Sequence, residues 1–371
     1  MGNSFGERFR VTSFGESHGR CVGVVVDGCP AGLSISDADI QRELDRRRPS
    51  QSPFTAGRAE SDRLELLSGV FNGFTTGAPI CMLVWNIDAD SRSYEKIRWT
   101  PRPGHADYPA HVKYGGLNDY RGGGRFSGRI TAGLVMAGAV SKRLIAEALK
   151  VEVLAYTKEI GHVRSREMSV NEIRMNTESN PVRCPDPDSA TRMMEEITTV
   201  ANQGDSLGGI VECLALNVPV RVGEPVFDAL DADISKALFA IPAVKAVEFG
   251  AGRYLANVRG SESNDVYVLR DGKVATDTNR MGGILGGLSN GMPIVCRATF
   301  KPTPSIRMPQ RTVDLSSMEE VEIAVDGRHD PCIVPRAVPV VEAMVALVLA
   351  DHAIRAGLIP PVLGRDFNGI R

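Results

Sequence analysis

Histidine is the side chain best suited to moving protons near neutral pH, and two of the six histidines in this chain stand in unusual company. His18 lies in Phe14-Gly15-Glu16-Ser17-His18-Gly19 and His105 in Arg102-Pro103-Gly104-His105-Ala106-Asp107, each beside glycine and close to Ser, Asp or Arg. Two further glycine-punctuated stretches carry cations: Arg121-Gly122-Gly123-Gly124-Arg125-Phe126-Ser127-Gly128-Arg129 and Gly327-Arg328-His329-Asp330-Pro331-Cys332. In the first of these, glycines free backbone N–H groups to approach an anion, and the arginines and a following helix N-terminus add positive potential. A lone loop histidine is usually a plain hydrogen-bonding residue, and His162 and His352, which lack such context, are read that way. No metal site is expected, because a Pro-containing loop separates His105 from His111 and no Cys, Asp or Glu spacing completes a ligand set.

Arginine is concentrated in the same region. Residues 1–130 hold fifteen Arg but only two Lys (Lys96 and Lys113), balanced by fifteen Asp and Glu. Any one of these arginines taken singly reads better as a surface ion pair. As a group, in Gly-rich stretches off the helix faces, they suit carboxylate or phosphate, whose geometry the planar guanidinium fork matches. The usual nucleotide motifs are missing: there is no G-x-x-x-x-G-K-[ST], and Gly250-Ala251-Gly252 fails as G-x-G-x-x-G at Leu255.

The elements that must position these residues are written twice. Residues 69–80 (Gly-Val-Phe-Asn-Gly-Phe-Thr-Thr-Gly-Ala-Pro-Ile) match residues 283–294 (Gly-Ile-Leu-Gly-Gly-Leu-Ser-Asn-Gly-Met-Pro-Ile), each leading into an apolar run, 79–87 and 293–300, that reads as a buried strand. Asp-Ala-Asp-Ile recurs at 37–40 and 231–234, opening amphipathic helices over about 36–48 and 228–240, each after an apolar strand (21–27 in the first case) and a Pro-containing turn. Gly128-Arg129 and Gly327-Arg328 each precede a long apolar helix, over about 130–149 and 336–357. Three echoes in one order imply a duplication, not a repeat array. The expected fold is α/β of the α+β kind: one domain, 1–371, of two pseudo-repeated halves (about 1–190 and 191–371). Long central helices would lie sandwiched between two mainly antiparallel sheets, with a site at the junction of the halves.

Composition bounds the function. A net charge of -2 argues against nucleic acid or anionic lipid as partner, and 43% hydrophobic with 24% charged residues is a globular profile. No stretch is expected to approach the length of a transmembrane helix, and Met1-Gly2-Asn3-Ser4 does not open a signal peptide. Seven cysteines without a C-x-x-C pair suit a reducing compartment, so a cytoplasmic location is expected.

Over essentially its whole length the sequence resembles the chorismate synthase family. Gly15-Glu16-Ser17-His18-Gly19 with Asp27-Gly28-Cys29-Pro30 is similar to that family's N-terminal signature. Gly122 to Arg129 with Thr131 resembles its central signature, and Arg328 to Cys332 with Glu342-Ala343 its C-terminal one. Arg102 to Asp107 and Lys301-Pro302-Thr303-Pro304-Ser305 are two further landmarks. The resemblance implies a lyase that uses reduced FMN to eliminate phosphate from C3 and a proton from C6 of 5-enolpyruvylshikimate-3-phosphate, with no net oxidation. It implies His18 as a proton donor near the pyrimidine edge of the flavin, His105 as the acid for the leaving phosphate, and Asp330 as a carboxylate helping to remove the C6 proton. Ser17 and Ser127 would surround this relay. By position, Arg47, Arg48, Arg129 and Arg336 would bind substrate with Ser17. Arg125, Phe126, Ser127, Pro242, Ala243, Gly286, Lys301, Pro302, Thr303, Pro304, Ser305 and Arg328 would bind FMN. A homotetramer fed by an external flavin reductant is also implied, the chain carrying no obvious reductase domain of its own for NADPH.

Two positions depart from the family pattern: Phe126 stands where a serine is common, and Pro53 where an arginine is, a contact Arg58 could supply. An FMN-dependent oxidoreductase would share the cofactor but consume NADPH stoichiometrically. A non-catalytic anion or RNA binder has only the arginine content in its favour. Because His18 and His105 both fall in glycine-containing loops, replacing either is expected to cost activity and little stability.

Overall fold

The computed structural model describes residues 2–48, 61–87, 94–325 and 330–364. The first part of the chain runs β1 (Ser4–Phe5), β2 (Arg10–Gly15), β3 (Cys21–Asp27), α1 (Asp37–Arg47), β4 (Leu64–Leu66), β5 (Val70–Phe71), β6 (Phe74–Thr75), β7 (Ile80–Trp85), α2 (Tyr94–Ile97), α3 (Asp107–Lys113) and α4 (Thr131–Leu149). It continues with β8 (Glu152–Ile160), β9 (Val163–Arg164), α5 (Val170–Asn176), α6 (Pro187–Asn202), β10 (Gly209–Leu216), α7 (Leu230–Phe239), β11 (Val244–Phe249) and α8 (Gly260–Ser263). The last part holds β12 (Tyr267–Arg270), β13 (Lys273–Thr276), β14 (Ile284–Leu285), β15 (Leu288–Ser289), β16 (Ile294–Phe300), β17 (Gln310–Asp314), β18 (Glu319–Ile323) and α9 (Val334–Arg355).

Two five-stranded antiparallel sheets form the outer layers, in the orders β1-β2-β3-β7-β4 and β11-β16-β10-β8-β9. Period-2 alternation sends Val22, Val24 and Val26 of β3 and Ile80, Met82 and Val84 of β7 inward. Helix α4 covers the first sheet, α9 the second, and the two helices pack on each other. Both are apolar around most of their circumference because protein surrounds them. Gly138 permits their close crossing: a Cβ there would stand 2.2 Å from the Cβ of Ala343.

Helix α9 corrects one expectation. Its 22 residues are long and apolar enough to cross a membrane, but 94% of the apolar window is buried against the sheet and α4. At its centre Glu342 is buried, accepting hydrogen bonds from Arg46 (2.6 and 3.0 Å), Lys142 (2.7 Å) and the Ala155 amide (3.0 Å).

The echoed segments occupy equivalent places. Strand order β2-β3-β7-β4 in one sheet corresponds to β8-β10-β16-β11 in the other, with α1 and α7, and then α4 and α9, following in the same chain order. Each twelve-residue echo is a two-residue hairpin feeding a core strand. Its turn residues, Asn72-Gly73 and Gly286-Gly287, all have positive φ, as this kind of tight turn requires. The hydroxyl of Thr75 accepts from Leu33 N (2.9 Å) and donates to the Pro30 carbonyl (2.6 Å); that of Ser289 accepts from Val222 N (2.9 Å) and donates to the Pro219 carbonyl (2.5 Å). In α1, Ser36 and Asp39 form a reciprocal capping box, and Asp37 and Asp39 at one end with Arg46 and Arg47 at the other complement the helix dipole. That orientation delivers Arg47 to the site.

Candidate active site

A cleft of ≈ 820 Å³ is lined from both parts of the chain. Arg47 and residues from 94–131 form one wall; the 239–245 segment, Phe300, Lys301, Thr303 to Ser305, Asp330 and the first turns of α9 form the other.

Three arginines converge at one end. Arg47 and Arg129 are buried and share one carboxylate, Asp62, whose side chain is fully buried. Arg47 donates to Asp62 at 2.8 Å and to the Thr131 hydroxyl at 3.1 Å; Arg129 pairs with the other Asp62 oxygen and donates to the Asn86 side-chain carbonyl (2.9 Å). Arg336 pairs with Asp330 and donates to the Arg47 carbonyl at 3.2 Å. Burial, with Arg336 and Arg129 nearby and Asp62 only partly compensating, pushes the Arg47 guanidinium down to about 9. Positive charge held in this way favours an arriving anion.

His105 stands on the wall above. Its Nδ1 lies 2.6 Å from Asp107, which is gripped by the Arg102 fork at 2.7 and 2.8 Å and by the Arg102 amide at 3.1 Å. Burial opposes ionisation of Asp107, but the hydrogen bonds and charges of Arg102 and His105 outweigh it and hold the carboxyl well below the usual range. The remaining Arg102 nitrogen donates to the Ser305 hydroxyl at 3.1 Å, tying this loop to the segment 301–305.

His18 has a different setting, more enclosed than its glycine-containing loop suggests. It is only 6% exposed, meets Tyr94 edge-on at 5.1 Å, and does not line the cleft. Gly122 covers it: a Cβ there, at φ +59°, would lie 2.2 Å from the imidazole Cδ2. Gly123 abuts His105 in the same manner, its Cβ position 3.2 Å from Nε2. The glycine run thus brings two imidazoles against one backbone, which no side chain larger than hydrogen allows. Ser127 donates to Ser17 at 3.1 Å beside His18. Arg125 turns away to the Gly15 carbonyl (2.9 Å) and Asn3 (3.0 Å) while still bordering the cleft.

The remaining candidates divide. Phe126, Ser127, Pro242, Ala243, Lys301, Thr303, Pro304, Ser305, Asp330 and Arg336 line the cleft, whereas Pro302 does not. Ala243 holds φ +74°, a conformation costly for alanine, and its carbonyl accepts from Lys301 N at 2.9 Å. Arg48 lies apart from the cleft, exposed and paired with Asp45 at 3.6 Å, because the helix ends one residue before it. Gly286 is also apart, its need for positive φ explained by the β14–β15 turn. Arg328, Pro53 and Arg58 lie outside the described residues. Asp62, Tyr94 and Asn86 were not singled out from sequence. Asp62 follows a segment without periodicity, and nothing along the chain announces its two distant guanidinium partners.

A family profile described as chorismate synthase matches residues 9–354. Proteins named chorismate synthase from Dehalococcoides mccartyi (strain BAV1), Methanosarcina mazei and Methanocella arvoryzae are 54%, 56% and 57% identical to the chain. The alignments cover 98%, 97% and 97% of it and 100%, 98% and 96% of those proteins. A solved structure titled as the crystal structure of chorismate synthase superposes with a TM-score of 0.75 at 30% identity, covering 95% of this chain and 93% of that one.

Proposed function

The chain belongs to the chorismate synthase family, carbon–oxygen lyases of the shikimate pathway, and from that premise we propose that its cleft holds 5-enolpyruvylshikimate-3-phosphate beside reduced FMN. The observation that carries the reading is the convergence of Arg47, Arg129, Arg336, His105 and Asp330 on one cleft. Two carboxylates and a phosphate on the substrate match three arginines whose own carboxylates, Asp62 and Asp330, leave net positive charge.

The residues present also fit FMN. Ile241, Val244 and Phe300 give one wall an apolar surface for a planar ring, with Phe126 on the other wall, and Lys245 and Lys301 are lining cations for a phosphate. Among the described residues the buried Thr303 hydroxyl has no hydrogen-bond partner, as a group awaiting a polar ligand would be. Phe126 offers no hydroxyl, so position 126 contributes ring contact and backbone only. Arg125 to Ser127, Pro242-Ala243 and Lys301 to Ser305 would hold the cofactor, with Arg328 and Gly286 assigned by resemblance alone. When bound there, reduced FMN would supply transient electron density for the elimination.

The chain's own residues do the rest. His105 gives a proton to the phosphate oxygen as the C3–O bond breaks, so phosphate leaves without the cost of full negative charge. Asp330, held by Arg336, accepts the proton lost from C6, and the C–H electron pair completes the new double bond. Ser17, Ser127 and His18 form the second proton-bearing cluster, His18 and Ser17 behind Gly122 and Ser127 at the cleft. Arg48 stands apart from this arrangement, paired with Asp45.

Assembly as a homotetramer is supported by large exposed apolar side chains, among them Phe71, Phe227 and Leu269. The seven free cysteines accord with a cytoplasmic enzyme, and an external source of reduced flavin rests on resemblance alone. The matching sheet orders support one domain of two duplicated halves. Anaerobic phosphate release from 5-enolpyruvylshikimate-3-phosphate tests the reading. Turnover is expected with chemically reduced FMN and none with oxidised FMN. Stoichiometric NADPH oxidation in place of redox-neutral turnover would make the protein an FMN-dependent oxidoreductase instead.

A further inference from the structure

We infer that Asp107 is a positioning residue that fixes the tautomer and ring orientation of His105, with Arg102 as its clamp. The inference rests on the reading of His105 as the acid that serves the leaving phosphate.

Three observations carry it. Asp107 Oδ1 is 2.6 Å from His105 Nδ1. Both Asp107 oxygens are already engaged by the Arg102 guanidinium, and an ionised carboxylate can only accept, so the proton of that contact sits on Nδ1. The Arg102 terminal nitrogen is almost equidistant from the two ring nitrogens, 3.1 Å from Nδ1 and 3.3 Å from Nε2. Such equal separations place the guanidinium over the ring face rather than in the plane of either lone pair. Nε2 is therefore the nitrogen that Asp107 does not take, and the one left for a ligand in the cleft that His105 lines.

The proton balance follows. The doubly protonated ring releases the Nε2 proton to the phosphate oxygen as the C3–O bond breaks with its electron pair on oxygen. The ring is left as the Nδ1–H tautomer, the one Asp107 holds, so it need not flip during turnover. Arg102 prevents Asp107 from rotating away and, through Ser305, fixes the dyad relative to the facing wall.

The test uses the full-length protein with histidine labelled by nitrogen-15. Magic-angle-spinning NMR, with His105→Ala for assignment, is expected to show His105 as the Nδ1–H tautomer when neutral. Asp107→Asn should abolish that preference and lower kcat about 10²-fold or more, while KM changes by no more than about threefold. An Nε2–H tautomer in the wild type overturns the inference, whatever the variants do. So does Asp107→Asn with normal kcat, or one whose tautomer is unchanged while only its melting temperature falls. A fully active His105→Ala protein would instead remove the role of His105 itself. An impaired His105→Ala with an unimpaired Asp107→Asn removes only the inference drawn here.

Discussion

Residues at this site act in compensated groups, and that changes what substitution does. Arg129 by itself suggests a substrate contact whose loss would weaken binding and little else. In the fold it shares Asp62 with Arg47, and all three side chains are buried. Arg129→Ala therefore leaves half of a buried carboxylate uncompensated. We expect a stability loss of about 3–5 kcal/mol in addition to a raised substrate KM. Chemical denaturation of Arg129→Ala beside Arg129→Ala/Asp62→Asn checks this: the second change should recover much of the loss. Equal stability of the single and double variants would mean that Asp62 is satisfied without Arg129.

At the scale of elements, glycine decides how closely parts approach. Along the chain, Gly138 in α4 reads as a mild weakness, since alanine is the better helix former by about 1 kcal/mol. Against α9 the sign reverses, because the added carbon would meet Ala343 at 2.2 Å, where both partners are backbone-borne and cannot swing aside. We expect Gly138→Ala to destabilise the protein by about 1–3 kcal/mol, read from the denaturation midpoint. A more stable variant would show that the helix pair can separate freely. The same logic explains the run Gly122 to Gly124: its sequence suggests amides for an anion, whereas its packing shows backbone laid against His18 and His105.

Over the whole molecule, the Glu342 cluster makes stability depend on pH. Burial opposes its charge, but Arg46 and Lys142 prevail and hold it far below the ordinary value of 4.5. A carboxyl whose folded pKa is depressed contributes stability that is complete above its unfolded pKa and lost as pH falls toward the folded one. Melting temperature should therefore drop increasingly steeply below about pH 4.5. Glu342→Gln should be less stable at pH 7, by about 3–5 kcal/mol, with a shallower acid dependence. Parallel wild-type and variant curves would place the acid sensitivity elsewhere.

Period and punctuation along the chain were enough to place α1, α4, α7 and α9 and the core strands β3, β7 and β16 within a few residues, because local patterns of burial and capping are written locally. The twelve-residue echoes likewise marked the entries to β7 and β16, whereas the tight turns inside them emerged only in the fold. Which charges meet is decided by tertiary structure. Asp62 joins Arg47 and Arg129 across 15 and 67 positions, and Glu342 joins Arg46 across 296, separations at which no spacing rule operates. The fate of α9 was decided in the same way. Its composition suits lipid as well as protein, and only the sheet and helix packed around it make it the centre of the fold.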